Sequence, residues 1–77
     1  MKNRNLSVIA IEIYKDWKKP YFGAVPYIDA MMILKDINSM YGFDSAKSIV
    51  LYFLSNAKTW KGEKARDIKK ELNNLLK

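Results

Sequence analysis

The 77-residue chain has room for one domain and one hydrophobic core, and it contains neither cysteine nor histidine. Disulfides, zinc sites built from Cys and His, and catalytic Ser-His or Cys-His pairs are therefore excluded within the chain. With 49% hydrophobic and 29% charged residues, the composition is that of a folded protein rather than a disordered one.

The net charge of +6 favours an acidic partner, nucleic acid among them. Only Arg4 and Arg66 among the 14 basic residues are arginine, and Asn, Ile and Tyr are plentiful, as in proteins encoded by AT-rich genes. We therefore expect part of the basic character to reflect composition rather than function.

Membrane insertion and export are both disfavoured by the sequence. The longest unbroken apolar run, 49–54, is far shorter than the roughly 20 residues of a membrane-spanning helix. Residues 1–5 are basic, but the apolar stretch after them is interrupted by Glu12, Lys15 and Asp16 and has no small-residue cleavage site. The sequence predicts a cytoplasmic protein with no membrane contact, in which residues 1–5 are flexible.

The first predicted element is a helix over 6–17 with Ser7 as a possible N-cap. The alternation of Ile9, Ile11 and Ile13 leaves a strand open as the alternative. Helical spacing is nevertheless the better fit, because apolar residues recur at Leu6, Ile9, Ala10, Ile13, Tyr14 and Trp17.

A loop over 18–23 precedes a second helix, predicted over 25–41. Pro26 suits the first turn of that helix, and Gly42 suits its C-terminal cap. One wide apolar face of this helix is expected to be buried.

A third helix is capped by Asp44 or Ser45 and continues to Ala57, with a middle that is apolar nearly all round. A break at 58–62 leads into a fourth helix over 62–76 with a narrow apolar stripe at Ala65, Ile68, Leu72, Leu75 and Leu76. These elements predict an all-α fold, a single domain over 1–77 built as a compact bundle of three to four short helices. The third helix is expected at its centre and the fourth on the outside.

No arrangement of residues indicates an active site, and we predict no catalytic residue, metal ligand or cofactor. Glycines are isolated, so no phosphate-binding loop is present. Glu63, Asp67 and Glu71 share one helical ridge, but the basic residues around them are typical of a solvated, salt-bridged face.

The segment 58–70 is the richest candidate for nucleic-acid binding. Its lysines and Arg66 are suited to phosphate contacts and Trp60 to stacking on a base. The candidate residues are Lys58, Trp60, Lys61, Lys64, Arg66, Lys69 and Lys70. The simpler interpretation, which we favour, is that the basic residues keep an outer helix solvated while Trp60 closes the edge of the core.

A second candidate surface, for a protein partner, is the aromatic loop formed by Trp17, Tyr21, Phe22 and Tyr27. Lys18 and Lys19 lie within the same stretch of chain. Exposed aromatic rings are typical of binding hot spots, whereas in a domain this small they commonly fold back over the core. The simpler interpretation, which we again favour, is that these rings fold back and close the core.

The segment 44–73, DSAKSIVLYFLSNAKTWKGEKARDIKKELN, resembles the C-terminal half of small uncharacterised proteins encoded by phages and prophages of low-GC Gram-positive bacteria. The stretch IEIYKDW over 11–17 matches them less closely. The resemblance implies expression in the bacterial cytoplasm. It carries no activity, and no functional residue is transferred from it.

The function that the sequence favours is a non-enzymatic interaction module that binds a host or phage protein. The alternative is a nucleic-acid-binding protein of weak sequence specificity that uses the basic C-terminal helix. An enzyme would need a metal supplied by its substrate or a site shared between subunits. A homo-oligomer completed by the edge at Leu72, Leu75 and Leu76 is also open.

Overall fold

The computed structural model describes residues 4–42 and 44–77. Its helices are α1 (Leu6–Asp16), α2 (Val25–Met32), α3 (Ala46–Ser55) and α4 (Glu63–Leu75). Between α2 and α3, the strands β1 (Met40–Tyr41) and β2 (Asp44–Ser45) pair in antiparallel fashion, with Met40 opposite Ser45. The predicted all-α class is confirmed.

Helix α1 forms as the apolar spacing predicts, and the strand alternative is wrong. Its buried side chains are Leu6, Ile9, Ala10 and Ile13. Ser7 lies inside the helix and does not cap it. The backbone N–H groups of Leu6 and Ser7 instead donate to the carbonyls of Lys35 and Leu34, at 3.0 and 3.2 Å. The loop after α2 therefore supplies hydrogen-bond acceptors to N–H groups in the first turn of α1.

Helix α2 begins at Val25 with Pro26 in its first turn, as predicted, but ends at Met32 instead of extending to residue 41. Beyond it the chain forms a turn in which the Asp36 carboxylate accepts from the Asn38 backbone N–H at 2.8 Å. Such side-chain bonds to the local backbone compete with a helix. Gly42 has φ +61° and lies in the hairpin between β1 and β2, so its predicted role as a helix cap is wrong.

Helix α3 is capped by Ser45, whose Oγ accepts from the Ser48 backbone N–H at 3.1 Å. One face of α3 is buried, while Leu51 and Tyr52 on its other sides are 52% and 48% exposed. The predicted central position is therefore wrong for α3. It packs mainly on α2, and the middle of the bundle is formed by α1 and α2, which pack on each other, with α4 on α1 and α3 on α2.

Helix α4 is an outer helix, as predicted, and Gly62 before it adopts φ +116°, a conformation that favours glycine. Its narrow stripe faces the rest of the chain, with Leu72 fully buried and Leu75 8% exposed. This edge is therefore part of the protein's own core and is not the self-association surface proposed for it from the sequence.

The core continues into a cluster of three aromatic rings beyond the end of α1. Trp17 stacks on Trp60 with ring centroids 5.6 Å apart, and both rings meet Phe53 edge-on. Trp17 and Trp60 are 8% and 2% exposed. The cluster thereby joins the end of α1, α3 and the loop before α4. Within the described part of the chain, no helix has the length and apolarity needed to cross a membrane.

Candidate interaction surfaces

The four aromatic residues predicted to form a protein-binding surface separate into a buried and an exposed group. Trp17 belongs to the core, so its assignment to a binding surface is wrong. Tyr21 and Phe22 are 44% and 80% exposed, and their ring centroids lie 4.9 Å apart. Tyr27 is partly buried. Phe22 is the most exposed large apolar side chain among the described residues.

A second aromatic pair lies between α2 and α3, which the sequence analysis did not foresee. The Tyr27 ring centroid lies 5.4 Å from that of Tyr52. One turn further along, Asn56 Nδ2 donates to the Tyr52 carbonyl at 2.8 Å, and Asn56 lines the same depression as Tyr21. We call Tyr21, Phe22, Tyr27 and Tyr52 the aromatic surface. A helical projection centred on the buried residues of α3 places Tyr52 off the core face, which is the signal that could have revealed it.

Gly23 lies at a close approach between the loop that carries Tyr21 and Phe22 and the end of α3. A Cβ atom at Gly23 would lie 2.6 Å from Tyr21 Cε2 and 2.9 Å from Asn56 Oδ1, both too close for a real contact. The absence of a side chain therefore lets the loop pack closely against the C-terminal end of α3. This approach brings Tyr21 beside Asn56.

A depression of 280 Å³ adjoins the aromatic surface and is lined by Tyr21, Ser55, Asn56, Lys58 and Thr59. The only charge on its lining is that of Lys58, which the sequence analysis had assigned to the nucleic-acid candidate. Lys58 thus lies beside the aromatic surface, whose border at this point is basic.

The basic residues predicted to bind nucleic acid do not form one surface. Trp60 is buried, and its Nε1–H donates to Asp16 Oδ2 at 2.8 Å. Stacking on a base is therefore not available to Trp60, and that part of the prediction is wrong. The simpler interpretation, in which Trp60 closes the core, describes its environment.

Lys69 also has a structural role. Its Nζ donates to the Trp60 carbonyl at 2.7 Å and lies 5.9 Å from the Trp60 ring centroid, so it ties α4 to the preceding loop. Burial lowers the pKa of Lys69, and the positive charge of Lys61 lowers it further.

The remaining basic side chains are divided between different sides of α4. Lys64 Nζ lies 3.5 Å from Glu12 Oε1 of α1. Arg66, two residues on, lies on another flank because an α-helix has about 3.6 residues per turn. Arg66 lines a second depression, of 420 Å³, together with Trp60, Lys61, Gly62, Glu63, Ala65 and Lys69. Lys70 is exposed and does not line it.

An ion-pair cluster joins the N-terminal segment to both α1 and α4. The Arg4 guanidinium donates to both carboxylate oxygens of Glu71, at 2.6 and 2.9 Å, and also to Glu12. The hydrogen bond from Arg4 lowers the pKa of Glu12. Arg4 is thus held in place, contrary to the flexibility predicted for residues 1–5, of which residues 1–3 lie outside the described residues.

The three carboxylates on the α4 ridge have different environments. Glu71 is engaged by Arg4, Glu63 borders the second depression, and Asp67 is exposed. Among residues 4–42 and 44–77, no group of three or more acidic side chains is arranged to hold a metal ion.

Comparison of the chain with protein-family models, with curated proteins and with solved structures finds no match.

Proposed function

We propose that this protein is a non-enzymatic interaction module that binds a protein partner through the aromatic surface. One observation carries the proposal. Two aromatic pairs, Tyr21–Phe22 in the 17–24 loop and Tyr27–Tyr52 between α2 and α3, lie on either side of Asn56, and Tyr21, Phe22 and Tyr52 are between 44% and 80% exposed.

The physical chemistry of these side chains suits recognition of another protein. Tyrosine and phenylalanine bury large areas with few rotatable bonds, and tyrosine adds a hydroxyl for hydrogen bonding. The Phe22 ring is apolar and largely exposed to water, so its burial by a partner would stabilise the complex by about 2 kcal/mol. The ring contacts within the two pairs, Tyr21–Phe22 and Tyr27–Tyr52, restrict the freedom of these side chains before binding. A preformed surface loses less entropy on binding than a mobile one.

The absence of His and Cys from the sequence supports recognition without chemistry. The resemblance to small phage and prophage proteins supports a host or phage protein as the partner, encountered in the bacterial cytoplasm.

Site-specific photo-crosslinking in a low-GC Gram-positive host tests this proposal. The photoreactive amino acid p-benzoylphenylalanine replaces Phe22 in one variant and Ile33, which is 71% exposed and lies beyond the end of α2, in the matched control. We expect one defined partner to crosslink at position 22 and not at position 33. Crosslinking of the same proteins at both positions, or of none at position 22, would contradict the proposal.

Nucleic-acid binding is the second candidate, supported by the position of Lys58 beside the exposed ring of Tyr21. An aromatic ring next to a cation is the pairing that single-stranded nucleic acids use for stacking and phosphate contact. With Lys61, Arg66 and Lys70 also exposed, the expected binding is weak, of low sequence preference and steeply salt-dependent. Fluorescence anisotropy with labelled DNA and RNA at about 50 to 200 mM salt tests it, and no binding at the lowest salt would exclude it.

A further inference from the structure

The second depression, at the start of α4, collects positive charge that the protein does not neutralise. Three of the side chains that line it are cationic, Lys61, Arg66 and Lys69, and one is anionic, Glu63. Every ion pair within 4 Å among the described residues involves Arg4 or Lys64, so none of these three cations has such a partner.

The cations are also close to one another. Lys69 is held by the Trp60 carbonyl at 2.7 Å, which leaves ammonium protons for another acceptor. The Lys61 charge is near enough to lower the pKa of Lys69, which means that the two ammonium groups repel each other. An anion between them would convert this repulsion into attraction.

The types of donor match phosphate better than a single carboxylate. A guanidinium binds two oxygens of a phosphate at once, while lysine ammonium groups act as point charges on the others. The volume of 420 Å³ falls within the range of about 300 to 1,000 Å³ found for small-molecule sites, and Trp60 is one of the residues that line it.

We infer that this depression binds a phosphate group through Lys61, Arg66 and Lys69. The phosphate can be carried by a small molecule or by a nucleic-acid backbone, since both present the same oxygens. The site is separate from the aromatic surface and does not depend on the function proposed for that surface.

Two-dimensional amide NMR of the full chain, at constant ionic strength, tests the inference with four probes. These are inorganic phosphate, adenosine 5′-monophosphate, adenosine, and a single-stranded oligonucleotide of about ten thymidines. We expect saturable shifts at Gly62, Glu63 and Ala65 with each phosphate-bearing probe and none with adenosine.

The variant Lys61→Gln/Arg66→Gln should weaken phosphate binding about tenfold, since it removes two charged donors. The control Lys70→Gln removes an exposed charge from the same helix without touching the depression and should bind inorganic phosphate and the mononucleotide as the parent does. Both variants change exposed side chains, so folding is preserved.

Tighter binding of the oligonucleotide than of the mononucleotide, with shifts that extend to Lys58 and Lys70, would support the inference and identify a nucleic-acid backbone as the source. Equal binding of the two would support it with a small molecule as the source. Shifts that do not saturate, or an undiminished response in the double variant, would overturn it.

Discussion

Replacing Trp60 by Phe tests whether this residue serves the core and not a ligand. The variant loses the indole N–H that donates to Asp16 at 2.8 Å. A hydrogen bond to a charged group contributes about 1.5 to 3 kcal/mol, and the exposure of Asp16 places this one at the lower end. The smaller ring also loses part of the stacking on Trp17, for about 0.5 kcal/mol.

The free energy of unfolding should therefore fall by about 2 kcal/mol, against a total of about 4 to 12 kcal/mol for a chain of this length. Urea unfolding followed by circular dichroism measures the change. Asp16→Ala provides the control, because it removes the acceptor and should destabilise the parent but add little once Trp60 has become Phe. If Trp60→Phe unfolds within about 0.5 kcal/mol of the parent but no longer binds nucleic acid, the assignment of Trp60 to the core is refuted.

Three further changes address the ion-pair cluster, α1 and the aromatic loop. Arg4→Gln should lower the unfolding free energy by about 1 kcal/mol at neutral pH. Because Arg4 lowers the pKa of Glu12, this difference should shrink as the pH falls below the ordinary glutamate range, and urea unfolding at pH 7 and pH 3 would show it. Burial and a hydrogen bond raise the pKa of Tyr14 to about 12, so the stability it contributes is lost as pH rises from the ordinary tyrosine value through that pKa. Ultraviolet titration should show one late tyrosine that Tyr14→Phe removes, and an unchanged titration would contradict the assignment. Gly23→Ala should turn the exposed Tyr21 ring away from Asn56 and change the unfolding free energy by at most about 1 kcal/mol, because both clashing atoms belong to side chains; a loss of several kcal/mol in urea unfolding would contradict this.

Elements with strong local signals could be predicted from the sequence. The apolar spacing of α4, the proline in the first turn of α2 and the Ser45 cap of α3 each depend on residues a few positions apart. The end of α2 could not be predicted in this way. Residues 33–41 have an apolar pattern compatible with a helix. In the structure, the turn at Asp36 and the pairing of β1 with β2 take the place of a longer α2.

The candidate surfaces were harder to predict because burial depends on distant contacts. The exposure of Phe22 and the burial of Trp60 differ because Trp60 stacks on Trp17, while among the aromatic rings of the described residues Phe22 contacts only the neighbouring Tyr21. Local spacing contains no information on such pairs. The same applies to Arg4 and Glu71, which are 67 residues apart in sequence.

The affinity of the purified partner for the parent protein and two variants tests the interaction surface most directly. Phe22→Ser removes the most exposed aromatic ring, and Ile33→Ser removes an apolar side chain of similar exposure elsewhere. Isothermal titration calorimetry should show binding weakened about thirtyfold by Phe22→Ser, as expected for a hot-spot residue, and unchanged by Ile33→Ser. Equal affinities for the parent and Phe22→Ser, or a greater loss with Ile33→Ser, would contradict a partner bound at the aromatic surface.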